Sequence, residues 1–220
     1  MSDEPLIRWE WVTENLDLIA DRLVEHLLLT GIALVVGSAI SFGLALLIYR
    51  RRWLSQPIIQ VTGIMYTIPS LALFAFLVPF TGLSLLSAEI GLVSYTLLIL
   101  IRNIIAGLDG VPPDVREAAD GMGYGPWSRL WAVELPLALP VLVAGLRVAT
   151  VTTIGLVTVT ALIGQGGLGQ LIVTGLLRPG IFETMIYVGG ILSLVLAVVA
   201  DVALLLVQRA LTPWARVRAA

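Results

Sequence analysis

Residues 117–136 read EAADGMGYGPWSRLWAVELP. Acids, an arginine and two tryptophans alternate here with three closely spaced glycines, and long apolar runs lie on both sides. Glu117-Ala118-Ala119 is a good helical start. Pro112 and Pro113 precede it, and Asp114 stands as a candidate N-cap with Glu117 in the capping-box position. Gly121, Gly123 and Gly125 then break the helix. A second helical piece is predicted from Pro126 to Val133. Trp127 and Trp131 lie four apart on one face, with Leu130 beside them and Arg129 opposite. Pro136 marks the return to the next apolar run. The expected product is a short helix–turn–helix offering an apolar-aromatic knob. The plainer alternative is an amphipathic loop lying against lipid headgroups.

The rest of the chain decides what such a loop is attached to. The 220 residues are 58% hydrophobic and 13% charged, too apolar for a soluble domain of this size. Five segments are long enough to cross a bilayer, which takes about 20 apolar residues. They run near Val24 to Tyr49, Ile58 to Val78, Leu83 to Leu108, Leu137 to Ile163 and Met185 to Val207. A sixth apolar run, Leu168 to Leu177, is too short to span and fits a re-entrant or interfacial segment. The fold class is therefore an all-α membrane protein with five transmembrane helices.

All thirteen basic residues are arginine. The absence of lysine excludes a Walker A loop, whose lysine reaches nucleotide phosphates, and a Schiff-base lysine. The absence of cysteine excludes disulfides and thiolate metal sites. Arginine placement also orients the spans. Arg50, Arg51, Arg52, Arg102, Arg116, Arg129, Arg209, Arg216 and Arg218 fall on one side, which is read as cytoplasmic. Only Arg8, Arg22 and Arg178 fall on the other. The N-terminus is then outside, the C-terminus is cytoplasmic, and the 117–136 loop faces the cytoplasm. The acidic N-terminus lacks a basic leader region, so no cleaved signal peptide is expected.

Residues 1–23 carry Asp3, Glu4, Glu10, Glu14, Asp17 and Asp21. Leu16, Ile19, Ala20 and Leu23 recur at helical spacing. This predicts an external acidic amphipathic helix on the membrane surface. Trp9, Trp11, Trp53 and Trp214 fall near interfaces, where aromatic anchors gather. In the first span Ala33, Gly37, Ser41 and Ala45 form a small-residue face. That face fits either close helix packing or a pore lining.

Glu117-Ala118-Ala119, then Gly123, Val133 and Leu135-Pro136 at their observed spacings, resembles the EAA signature of ABC importer permeases. The one departure is valine where isoleucine is commoner. TIPSLALFAFLVP (67–79), IRNIIAGL (101–108), LPLALPVLVAGLRVATVTTIG (135–155) and ALIGQGGLGQLI (161–172) are similar to the osmoprotectant branch of that family. This branch imports glycine betaine, carnitine, choline, proline and related solutes. The similarity covers His26 to Leu206. It implies a type I transporter transmembrane domain over 24–208, followed by a cytoplasmic tail, 209–220.

The resemblance further implies that Glu117, Ala118, Ala119, Gly123, Leu135 and Pro136 belong to a coupling loop that docks on a separate ATPase. ATP and Mg would then bind the partner ATPase, with no cofactor, metal or catalytic residue in this chain. The other implied partners are a second permease chain, identical or paralogous, and an external substrate-binding protein, in a prokaryotic inner membrane. No nucleic-acid partner is expected.

Weaker signals remain. Gly164-Gln165-Gly166-Gly167-Leu168-Gly169 fits GxGxxG formally, but it follows a membrane span and no βαβ unit surrounds it. It is read as a tight turn on the face where a binding protein docks. His26 is the only histidine and no metal partner is near it in sequence. Ionisable residues inside spans are few: Glu89, Arg147 and Asp201. A proton- or sodium-coupled carrier would bury more. Arg147 and Asp201 lie at similar depth and are a candidate buried ion pair; the competing reading has each facing water alone. Tyr66, Thr67, Pro69 and Ser70 are candidate path-lining positions, because proline in a span frees a carbonyl where a cavity or neighbour can satisfy it. Neither an aromatic cage for a quaternary ammonium group nor a nucleophile–base pair is evident. The alternatives are a methionine-type or other amino-acid permease, a secondary carrier or channel, and, least supported, a membrane enzyme.

Overall fold

The computed structural model describes residues 6–180 and 182–216. Asp3, Glu4 and Arg218 of the sequence reading lie outside them. The described residues are almost wholly helical, without a β-strand. In order they form α1 (Trp9–Glu14), α2 (Leu16–Arg50), α3 (Ser55–Thr67), α4 (Ser70–Thr81) and α5 (Leu85–Asp109). Then follow α6 (Pro113–Gly121), α7 (Pro126–Arg129), α8 (Leu135–Thr160), α9 (Leu168–Leu177) and α10 (Glu183–Leu211). Four helical stretches are long and apolar enough to cross a membrane, and five if α3 and α4 count as one bent span.

α5 is the central post. It packs against α2 on one side, α8 on another, and α3 and α4 beyond. Its contact with α2 uses the small-residue face of the first span. Ala33, Gly37, Ser41 and Ala45 are all buried. A β-carbon on Gly37 would fall 2.0 Å from the Thr96 hydroxyl, so the face serves helix packing. Leu29, Ala33, Phe74, Ala88, Leu92 and Val157 make one apolar cluster of the bundle, and Ala45, Ile104, Leu108, Leu130 and Ala138 make another. α9 and α10 pack against each other and on α8, while most of α10's apolar surface stays uncovered within this chain.

Three expectations are corrected. The predicted second span, Ile58 to Val78, is two helices bent by 95°. Pro69 forces the residue before it out of the helical region, and Ile68 adopts an extended conformation (φ −65°, ψ 128°). The acidic N-terminal segment is not one helix ending at residue 23: α1 covers Trp9–Glu14, and the rest of the segment belongs to the first span's helix. Residues 16–50 are one continuous helix, and the break falls at Asn15 (φ −118°, ψ 27°). Part of the segment's apolar face finds protein: Ile19 is buried with Leu168, Leu171 and Met185 of α9 and α10 and Leu23 packs beside them, while Leu16 and Ala20 stay exposed. Finally, the second loop helix does not end near Val133 before a new span starts near Leu137. α7 runs through a π-helical stretch, Leu130–Glu134, straight into α8. Proline has no N–H to offer the preceding turn, and the wider π turn immediately before it absorbs that mismatch.

Candidate functional site

The loop between α5 and α8 is built from its own turn chemistry. Pro113 occupies the first helical position of α6, where a missing N–H costs nothing. The N-cap is therefore Pro112 rather than Asp114, and no side chain caps the end. Asp114 sits in the first turn, where a carboxylate favours the helix dipole. At the other end the Gly123 amide donates to Asp120 O and the Tyr124 amide to Ala119 O, both consistent with a Schellman closure. That closure needs a left-handed residue, and Gly123 has φ +85°.

The loop presents some residues and packs others. Glu117, Ala118, Gly123 and Met122 are exposed, whereas Ala119 is buried. Leu135 is partly covered and Pro136 is exposed. Leu130 is fully buried among Ala45, Ile104, Leu108 and Ala138. Burying one leucine contributes about 1.5–3 kcal/mol, enough to seat the loop on the bundle. Trp127 and Trp131 both turn toward α2. The Arg50 guanidinium lies 5.5 Å from the Trp127 ring centre, and the Phe42 and Trp131 rings are 5.9 Å apart.

The element that sequence reading missed is Glu134. It is 1% exposed and accepts hydrogen bonds from Arg129 Nε (2.8 Å) and the Tyr49 hydroxyl (3.0 Å). Arg116 Nε stands 3.8 Å from its second oxygen, and Arg116 also donates to Leu108 O at the end of α5. Arg129 reaches Asp120 at 2.6 Å. One carboxylate thus ties the end of α2 to both helical pieces of the loop. A signal was present in the sequence: Glu134 is the lone acid in an apolar stretch, with Arg116 and Arg129 upstream of it.

The bend between α3 and α4 brings its own satisfaction. The Tyr95 hydroxyl of α5 donates to Ile68 O, the carbonyl that the break frees. The Tyr66 and Tyr95 rings meet edge to face at 5.7 Å. Tyr66, Thr67 and Pro69 are exposed and Ser70 is partly so. This gives the bend a polar, accessible lip.

Arg147 of α8 and Asp201 of α10 form a two-pronged ion pair at 2.9 and 2.8 Å. Gln208 joins them, accepting from Arg147 at 3.5 Å and donating to Pro140 O at 2.9 Å. The pair is not buried within this chain. Its side chains are 24% and 34% exposed, because it sits at the rim of the α8–α10 seam.

The glycine loop 164–169 is a backbone lock. A β-carbon on Gly167 would lie 2.6 Å from His26, and one on Gly169 would lie 2.4 Å from Thr158 O. The Gly166 amide donates to Glu25. His26 is fully buried and its Nε2 lies 3.1 Å from Ile154 O, so the lone histidine has a partner after all. No group of residues suited to a metal ion occurs among the described residues.

With this geometry in place, residues 28–214 match the model of the binding-protein-dependent transport system inner membrane component. The chain belongs to that family. It is 39% identical over 210 residues to the osmoprotectant import permease protein OsmW of Salmonella typhimurium, covering 92% of this chain and 96% of the relative. It is 35% identical over 193 residues to the choline transport system permease protein OpuBB of Bacillus subtilis, covering 87% and 88%. Among solved structures it is similar to a chain of the inward-facing MetNI methionine ABC transporter. The TM-score is 0.81 at 23% identity, over 96% of this chain and 100% of that one. At that identity the likeness speaks for the fold alone. The chain is thus a multi-pass membrane permease subunit of an ABC importer.

Proposed function

We propose that this permease carries osmoprotectants of the glycine betaine, carnitine, choline or proline class into the cell. ATP and Mg act on separate cytoplasmic ATPase chains, a second permease copy or paralogue completes the path, and an external binding protein delivers the solute. The observation that carries this reading is the exposed Glu117–Gly123 helix end on a loop pinned by a buried carboxylate. Such a rigid knob at one end of the bundle can transmit a push from a soluble partner. The arginine distribution supports placing this end in the cytoplasm and the α9 end outside. The names of the relatives support the solute class. The polar lip at Tyr66, Thr67, Pro69 and Ser70 is a weak, transient contact zone for the solute, and tight binding resides in the external partner.

The test is uptake of labelled glycine betaine, carnitine, choline, proline and methionine by cells expressing the complete transporter. ATP is maintained while the proton gradient is collapsed. Uptake of the first four should persist. Its loss on collapsing the gradient would refute the ABC mechanism, and uptake of methionine alone would refute the solute class. A reporter fused after Ala220 should read cytoplasmic and one inserted near Leu177 external; both on one side would overturn the orientation.

A further inference from the structure

We infer that the basic cavity between the end of α2 and the loop helices α6 and α7 binds the phosphate of an anionic lipid headgroup. The cavity has a volume of about 430 Å³. Arg50, Arg52, Arg116 and Arg129 all line it, together with Trp127. The acids at hand are Glu134, which also lines it, Asp109 on Arg52 at 2.7 Å, and Asp120 on Arg129. Four guanidinium groups therefore face three carboxylates, and the cavity keeps a positive excess. Arg50 carries that excess. Among the described residues it has no ion-pair partner and rests only on the Trp127 ring. Guanidinium forks match phosphate oxygens in pairs, and a lone fork beside an aromatic wall offers its N–H donors to such a group.

The position selects the source of the phosphate. Trp53, the residue after the cavity-lining Arg52, and Trp131, one helical turn after the cavity-lining Trp127, are 69% and 56% exposed, and exposed tryptophans gather at headgroup level. Basic pockets between helices at that level take anionic lipid heads. The two acyl chains would then run along the uncovered apolar surface of α2. Leu47, Ile40 and Val36 are exposed there. A bound lipid would brace the same loop that Glu134 holds from inside. The inference goes beyond the transport reading and does not depend on which solute is carried.

The experiment titrates the assembled transporter, purified in detergent, with phosphatidylglycerol, with phosphatidylcholine of the same chains, and with inorganic phosphate alone. Bound lipid is counted by native mass spectrometry. Phosphatidylglycerol should bind preferentially. Arg50→Gln should weaken it about tenfold, equivalent to about 1.4 kcal/mol. Arg51→Gln removes the same charge next door but outside the cavity lining, and should leave the affinity unchanged. Equal losses in both variants would mean diffuse attraction to an anionic surface and would overturn the site. So would equal binding of the two lipids, or displacement of phosphatidylglycerol by inorganic phosphate at matched concentration.

Discussion

Replacing Glu134 by glutamine tests whether one buried carboxylate holds the loop between α5 and α8. Glutamine keeps the shape and one acceptor oxygen but removes the charge. Two hydrogen bonds to the carboxylate change, from Arg129 Nε at 2.8 Å and from Tyr49 at 3.0 Å. Bonds to a charged group contribute about 1.5–3 kcal/mol each when removed, and neutral ones about 1 kcal/mol. Arg129 keeps Asp120 and is 21% exposed, so water recovers part of its loss. The working figure is a loss of roughly 2–3 kcal/mol, confined to the seat of the loop. Local opening should rise by roughly 30- to 150-fold, at tenfold per 1.4 kcal/mol. Hydrogen–deuterium exchange reads this directly. Amides of 113–134 should exchange faster, while those of the α5 centre stay as they were. Solute-stimulated ATP hydrolysis by the reconstituted transporter should fall in parallel. Unchanged protection of 113–134 would refute the reasoning, since a 1%-exposed carboxylate with these contacts cannot be neutralised without cost if it holds the loop.

Gly123→Val adds a β-branched side chain at φ +85°, where open space surrounds it, so the cost is backbone strain of about 1–2 kcal/mol. The variant should insert normally yet lose solute-stimulated ATP hydrolysis, and unchanged stimulation would count against docking through 117–123. Gly167→Ala puts a carbon 2.6 Å from the α2 backbone at His26 and should sharply lower the yield of folded protein in detergent; normal yield and melting would show that the lock tolerates spreading. Arg147→Leu and Asp201→Leu should each lower the melting temperature, with partial recovery in the double variant. Purely additive losses would show that the 2.8–2.9 Å pair carries no coupling.

Much of this protein was legible in the sequence because the signals are local. Apolar run length set the helices, and α5, α8, α9 and α10 start and stop within a few residues of the predicted limits. The break at Gly121–Gly125 and the helical start before Glu117 follow from backbone preferences that each residue carries by itself. The small-residue face of α2 was visible as a spacing, and its use in packing was the reading that such a spacing favours, with only the partner, α5, left open. What the sequence left undecided depends on residues far apart along the chain. Tyr49 and Glu134 are 85 positions apart, Glu25 and Gly166 are 141, and His26 and Ile154 are 128. No periodicity encodes such meetings, because they arise only when helices cross. The same holds for the 95° bend: Pro69 guarantees a break, but its size rests on the α5 surface and on Tyr95 receiving the freed carbonyl. Likewise the charges of Arg147 and Asp201 fixed their attraction, and only the seam between α8 and α10 put the pair at a partly exposed rim. Local propensity chooses elements at a fraction of a kcal/mol per residue, whereas a buried charge or a close backbone contact is decided by the neighbours that packing supplies.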